Sequence, residues 1–220
     1  MSTETFTFKF FGWLEAKAYR WVNPDGSDGG IVPADATIHA GVKLPLDAVV
    51  GPCASIGEGA RIGDGAIIGY RASIGNGARI GYRASIGNGA SIGDGASIGY
   101  RASIGNGASI GDGASIGDGA RIGYRTSIGD GASIGDRDWH MTIGPVGSRH
   151  AMATAVYNKY HGLRWWVGCK HGISTDQLLA FVQETHGDGD YWHDYRSAID
   201  FVQSSPGLAR AIAQAEGGAA

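Results

Sequence analysis

An isoleucine stands at every sixth residue from Ile56 to Ile134, fourteen times without a break. Counting back by the same step reaches Val50, Leu44, Ile38 and Val32, all apolar. The unit reads Ile-Gly-x-Gly-Ala-Ser, as in Ile92-Gly93-Asp94-Gly95-Ala96-Ser97. One large aliphatic residue and one alanine in six cannot line a helix, whose buried stripe needs apolar residues at three- and four-residue spacing. The unit does suit a short strand and a tight bend. Ile points in, Ala is small enough for the corner, and Asp-Gly or Asn-Gly makes the turn. Glycine supplies 39 of the 220 residues, yet it does not recur at every third position, which excludes a collagen helix.

Three units close one triangular coil, so residues eighteen apart stack at the strand spacing of about 4.8 Å. From Val32 to the unit opening at Ile134 the repeats amount to about six coils. A coil buries its Ile set only against its neighbours, so both ends of the stack need a cover. In these repeats the chain resembles the left-handed β-helix superfamily of hexapeptide-repeat proteins, which includes many acyltransferases and the γ-type carbonic anhydrases. The resemblance implies the left hand of the coil and assembly as trimers about the coil axis. It leaves activity open, because a fold does not fix a function.

The expected fold is therefore β-dominated: an N-terminal β cap over 1–31, a left-handed parallel β-helix over 32–139, and a small C-terminal α+β domain over 140–220. In the cap, Phe6, Phe8 and Phe10 alternate with Thr5, Thr7 and Lys9 as in a strand. A second apolar stretch, Trp13 to Val22, ends at the turn signal Asn23-Pro24-Asp25-Gly26. The period breaks at Asp136-Arg137-Asp138-Trp139-His140. Beyond it, Met152–Tyr157 and Leu163–Gly168 read as strands, and Ser174-Thr175-Asp176-Gln177 as a capping box opening a helix that stops near His186-Gly187. A second helix spans about Tyr191 to Ser204, and Pro206 precedes a short Ala-rich tail. This last region loosely resembles a small domain of phage and prophage proteins of unknown function, on Gly144-Pro145-Val146-Gly147-Ser148-Arg149, Gly168-Cys169, Thr185-His186-Gly187-Asp188 and Tyr195-Arg196. That resemblance implies a viral origin and supplies no activity.

A net charge of −3 argues against binding a nucleic-acid polymer or an anionic membrane. Two distant cysteines, Cys53 and Cys169, form no disulfide framework and fit a reducing compartment. With no secretory signal and no apolar run of membrane-spanning length, the expected location is the cytoplasm, that of a host cell if the chain is viral.

In the acyltransferases of the superfamily a histidine acts as general base near a subunit junction, often with a loop projecting from the helix. The isoleucine repeats here hold neither a His nor an inserted loop; His39 precedes them and His140 follows. The carbonic-anhydrase chemistry needs three zinc-binding histidines between subunits, which the repeats do not offer. The six histidines from His140 to His193 match no zinc spacing, and Cys169 reads as a small buried hydrophobe beside Trp165-Trp166. No catalytic residue, cofactor or metal site is therefore assigned.

The departure from the repeat that most invites a function is Tyr-Arg in place of Asp-Gly or Asn-Gly. It occurs at Tyr70-Arg71, Tyr82-Arg83, Tyr100-Arg101 and Tyr124-Arg125. Positions 82 and 100 differ by eighteen and share an edge in adjacent coils; 70 and 124 share a second edge, three coils apart. The third edge carries Glu58, Asn76, Asp94, Asp112 and Asp130. Serines 55, 73, 91, 109 and 127 line one outer face, and Arg61, Arg79 and Arg121 decorate the other two. The Tyr-Arg edges serve either packing against another subunit or ligand binding, with Tyr stacking a base and Arg taking a phosphate. The candidate ligand-binding set is Tyr82, Arg83, Tyr100 and Arg101. The leading expectation is a non-enzymatic β-helical binding or structural protein. It would be a homotrimer with a small anionic or nucleotide ligand as candidate partner. The alternatives are a hexapeptide-family acyltransferase and a sponge that sequesters an anionic signalling nucleotide in intersubunit clefts.

Overall fold

The structure, a computed structural model, describes residues 5–135, 138–148, 151–168 and 170–217. It is a β-solenoid of about six turns, mostly sheet, with three short C-terminal helices, and it has the left-handed β-helix fold that the resemblance implies. Two compact units divide the chain, Met1–Thr126 and Ser127–Ala220.

The first unit opens with an antiparallel meander of β1 (Phe6–Phe10), β2 (Leu14–Val22) and β3 (Asp28–Pro33). Phe10, Ala18 and Val32 are fully buried there, and Phe8 meets Phe10 edge to face at 4.8 Å. The turn after β2 is fastened to the solenoid by the buried Asn23. Its Oδ1 accepts the Leu44 N–H at 2.8 Å and its Nδ2 donates to the Leu44 carbonyl at 3.1 Å. β3 also pairs in parallel with the coil above it, Ile31 against Val49. The meander thus covers the open backbone edge of the first coil, the cover that the sequence required.

Above it each repeat contributes a two-residue strand, and strands eighteen apart pair in parallel register, as in Ser91 with Ser73 below and Ser109 above. Every isoleucine at six-residue spacing from Ile56 to Ile122 is at most 7% exposed, so the inward reading of the period holds throughout the unit. The repeat's first glycine is obligatory for a steric reason. A Cβ on Gly93 would lie 2.4 Å from Asp112 Oδ1 and 2.6 Å from the Asp112 amide nitrogen. The outward positions form three faces. One carries Ser55, Ser73, Ser91 and Ser109. A second carries Lys43, Arg61, Arg79, Ser97 and Ser115. The third carries Val49, Ile67, Ser85, Ser103 and Arg121.

The second unit begins with the repeats Ser127–Ile128 and Ser133–Ile134 and continues as a four-stranded antiparallel sheet. Its strands are Trp139–Val146, Ala151–Asn158, Gly162–Val167 and Lys170–Ile173. One face of this sheet meets the repeats: Thr142 and Thr154 hydroxyls donate to the Ser127 carbonyl, and Trp166 Nε1 donates to the Gly131 carbonyl at 3.1 Å. The other face packs Trp165 against α1 (Thr175–His186), α2 (Asp190–Gln203) and α3 (Pro206–Gly217) through Leu178, Val182, Ile199, Val202 and Leu208.

The capping box at Ser174–Gln177 forms in both directions, and the two expected helices and two expected strands are present. Two strands, Trp139–Val146 and Lys170–Ile173, were not expected. The Ala-rich tail is also corrected: it is α3, with Pro206 in its first turn, where a missing N–H costs nothing, and with Leu208 buried. Asp136, Arg137, Arg149 and Cys169 lie outside the described residues. No helix among those described is long and apolar enough to cross a membrane.

Candidate functional site

The edges of the first unit follow one construction rule. At the bends from Asn76 to Asp118 that carry Asp or Asn, the side chain reaches one coil down and accepts a backbone N–H. Asn76 Oδ1 takes Glu58 N at 2.8 Å, Asp94 Oδ1 takes Asn76 N at 2.7 Å, and Asp112 Oδ1 takes Asp94 N at 2.8 Å. Asn88 does the same for Tyr70 and Asn106 for Asn88 on a second edge. The following glycine adopts positive φ, 65° at Gly77 and 67° at Gly95, which a side chain disfavours.

Tyr-Arg breaks the rule twice over. A tyrosine offers no carbonyl oxygen at that reach, so the amides of Asp64 and Tyr82 have no acceptor among the described residues. The arginines nevertheless keep the left-handed backbone of the glycines they replace: φ is 55° at Arg71, 54° at Arg83, 53° at Arg101 and 52° at Arg125. A non-glycine residue there is disfavoured by about 1 kcal/mol or more. All four Tyr-Arg pairs thus accept strain, and those at Tyr82, Tyr100 and Tyr124 also give up a hydrogen bond, a combination that packing of the coil itself does not demand; below Tyr70 stands Pro52, which has no N–H.

The candidate residues come together as their spacing implies. Tyr82 and Tyr100 stack ring on ring, with centroids 5.4 Å apart and planes 5° apart. The Arg83 and Arg101 guanidiniums each lie 5.0 Å from the centroid of the preceding Tyr ring. Tyr82 and Tyr100 are 38% and 41% exposed, so the edge is open to a ligand. The facing sides of the two rings are already in contact, so a ligand ring could join this column only on its outer faces. On the second edge Tyr70 and Tyr124 meet no other ring among the described residues; each has its own arginine at 5.0 Å.

Two features escaped the sequence reading. Lys43, Arg61 and Arg79 form one outward column on the face that runs into the Tyr82 edge, a row visible only when residues are aligned at eighteen. Lys43 is neutralised by Asp25 at 2.7 Å, whereas Arg61 and Arg79 have no ion pair among the described residues. A shallow depression of about 530 Å³ beside the column is lined by Lys43, Pro45, Arg61 and Asp64. The second feature is a depression of about 470 Å³ on the acidic edge, lined by His39, Ser55, Glu58, Asn76 and Asp94. His39 Nε2 lies 3.9 Å from Glu58 Oε2, and the Gly41 N–H donates to His39 Nδ1 at 3.3 Å. The second interaction occupies the lone pair of the neutral ring and assigns its proton to Nε2. A general base needs that lone pair free.

The remaining candidates make no site. Cys53 is exposed, and its thiol, 3.3 Å from Asp35 Oδ2, is held above its usual range by that carboxylate. Protonated thiols of this kind are poor nucleophiles. His140 is half-buried, and burial lowers its pKa. No group of three or more His, Cys, Asp or Glu among the described residues could hold a metal ion.

No protein family and no curated protein matches the chain in sequence. Solved structures that resemble it are hexapeptide-repeat left-handed β-helix proteins. The acetyltransferase domain of PglB from Neisseria gonorrhoeae, in complex with acetyl coenzyme A, is 24% identical, with 47% of this chain and 52% of that chain covered and a TM-score of 0.42. PerB from Caulobacter crescentus, in complex with CoA and GDP-perosamine, is 21% identical over 51% of this chain and 53% of that chain, with a TM-score of 0.40. A hexapeptide transferase family protein from Anaplasma phagocytophilum is 14% identical over 78% and 93%, with a TM-score of 0.36. The chain spans about half the length of the first two. These likenesses concern the repeat fold and carry no argument about what this chain binds or transforms.

Proposed function

We propose that this chain is a non-catalytic β-helical binding protein, assembled as a homotrimer, that holds a small anionic ligand of the nucleotide class at the edge formed by Tyr82, Arg83, Tyr100 and Arg101. One observation carries the reading: two successive coils place arginine in the left-handed conformation of glycine beside stacked, exposed tyrosines. Two cations held one coil apart repel each other, and an anion between them removes that repulsion. The aromatic column offers its outer faces to a base. A neighbouring copy would complete the cleft. Sequestration of a signalling nucleotide suits the phage origin suggested by the C-terminal region, with the host cytoplasm as its place of action.

The test is thermal unfolding with a panel of mono-, di- and cyclic nucleotides. A binder should raise the melting temperature of the wild type and not that of the Arg83→Ala, Arg101→Ala variant, while sedimentation shows the same oligomer for both. If the double variant instead dissociates and no nucleotide shifts the wild type, the arginines serve assembly and the binding reading fails.

A second reading, acyl transfer, has one observation in its favour, the His39–Glu58 pair in a surface depression. It requires the ring to release the Gly41 amide before it can accept a proton. Turnover of acetyl-CoA that disappears in His39→Ala would establish it over the binding reading.

A further inference from the structure

We infer that the ligand of the Tyr-Arg edge carries at least two phosphate groups, one held by Arg83 and Arg101 and one by Arg61 and Arg79. This rests on the binding reading above and narrows its ligand class. The observation is a pairing of pairs. Arg61 and Arg79 are register partners in adjacent coils, exposed, and without an ion pair among the described residues. Arg83 and Arg101 are likewise one coil apart, since the Arg101 N–H donates to the carbonyl of Tyr82, at 2.9 Å. Each pair stands on backbones about one strand spacing, 4.8 Å, apart, close enough for two arginines to share the oxygens of one phosphate.

Arg79 and Arg83 belong to the same coil, four residues apart. At about 3.3 Å per residue the Cα atoms that carry the two clamps are no more than about 13 Å apart, with Tyr82 between them in the chain. The depression of about 530 Å³ at Lys43 and Arg61 extends the same surface downward. The carboxylates nearby are Asp47 and Asp64 at the lower coils and Asp118 above. Asp47 Oδ1 is engaged with the Gly65 amide at 2.7 Å and Asp118 Oδ1 with the Tyr100 amide at 2.7 Å. A single phosphate would use one clamp and leave the other pair of cations unrelieved. A molecule with two or more phosphates spaced to span the clamps uses both.

Titration of the full chain with adenosine monophosphate, a cyclic dinucleotide and inorganic tripolyphosphate tests this, in the wild type, in Arg61→Ala, Arg79→Ala, and in Arg83→Ala, Arg101→Ala. All four substituted positions are exposed, and circular dichroism confirms that the coil is kept. The expected result is that a ligand with several phosphates binds at least about tenfold more tightly than the monophosphate. That advantage should vanish in Arg61→Ala, Arg79→Ala, whose monophosphate affinity stays at the wild-type value. Arg83→Ala, Arg101→Ala should lose both. Tighter binding of tripolyphosphate than of the cyclic dinucleotide assigns the selectivity to phosphate alone; the reverse order adds a contribution from the base. Equal affinity for one phosphate and several, or an advantage that survives in Arg61→Ala, Arg79→Ala, overturns the two-clamp inference while leaving nucleotide binding in place. Failure of every probe to bind the wild type overturns the binding reading itself.

Discussion

Asp118 Oδ1 takes the amide N–H of Tyr100 at 2.7 Å, but Tyr100 has no carbonyl oxygen at that reach to do the same for Tyr82 one coil below. Tyr100→Asn would restore that acceptor, and Arg101→Gly would remove the left-handed strain at φ 53°. A recovered hydrogen bond contributes about 1 kcal/mol and the relieved backbone about another 1 kcal/mol. Loss of the ring stack costs about 0.5–1.5 kcal/mol. The double variant should therefore be more stable than the wild type by about 1 kcal/mol in urea denaturation. A less stable variant would show that the Tyr-Arg pair supports the coil, contrary to the argument from strain.

The inside–outside assignment has a sharper test. Ile92 is 1% exposed, whereas its neighbour Ser91 faces outward and is exposed. Ile92→Ala should cost about 2–5 kcal/mol, and Ser91→Ala should stay within about 0.5 kcal/mol. Ile92→Asp would place an unpaired charge in a dry stack and should abolish folding of the first unit, seen as loss of the β signal in circular dichroism.

His140 makes the second unit sensitive to acid. Burial lowers its pKa, the Asp138 backbone and carboxylate only partly oppose this, and Nδ1 has no hydrogen-bond partner among the described residues. The unfolded chain takes up the proton at the ordinary value of about 6.5, before the folded chain does. Stability is thus full above about pH 6.5, falls as the pH drops through it, and levels off below the lowered folded-state value. His140→Gln should flatten this part of the profile of melting temperature against pH. An unchanged slope between about pH 7 and 5 would assign the acid sensitivity elsewhere.

At α1, Ser174 Oγ accepts the Gln177 amide at 3.2 Å and Gln177 Oε1 accepts the Ser174 amide at 2.9 Å. Ser174→Ala should cost about 1 kcal/mol, and limited proteolysis should find the start of α1 cut sooner. Equal cleavage rates would mean that packing of Leu178 and Val182 alone holds the helix.

What could be read from the residues was what repetition makes redundant. Ile56 through Ile134 report the same inward position fourteen times, so neither the period nor the stacking of Tyr82 on Tyr100 was in doubt. The C-terminal unit has no such redundancy. Trp139–Val146 carries no alternation of exposure, being half-buried from Trp139 to Ile143, because both faces of its sheet are in use. The tail after Pro206 looked like a terminus because alanine and glycine signal little burial, yet Leu208, at 3% exposure, and Ile212 anchor it. At the site, Arg61 and Arg79 were placed on a face but not joined to the Tyr82 edge. The relation needed the turn geometry that leads from Arg79 to Arg83. The Asp and Asn caps were read as turn residues, which they are. That each also serves the coil beneath it depends on a side-chain direction the turn signal does not carry.

In the first unit, sequence distance acts as an angular address. Eighteen residues are a whole revolution and six are a third of one, since Ile92 lies directly between Ile74 and Ile110. Loss of a single repeat between Tyr82 and Tyr100 would keep every isoleucine inside and so leave the fold viable. It would also swing Tyr100 and Arg101 round to the row of Asn76, where no second tyrosine waits. Gain of three repeats at once would return both tyrosines to one edge. A lineage of such chains can therefore change length freely in steps of eighteen, while steps of six rewrite which side chains meet. The same property lets a surface be recomposed without any cost to the core.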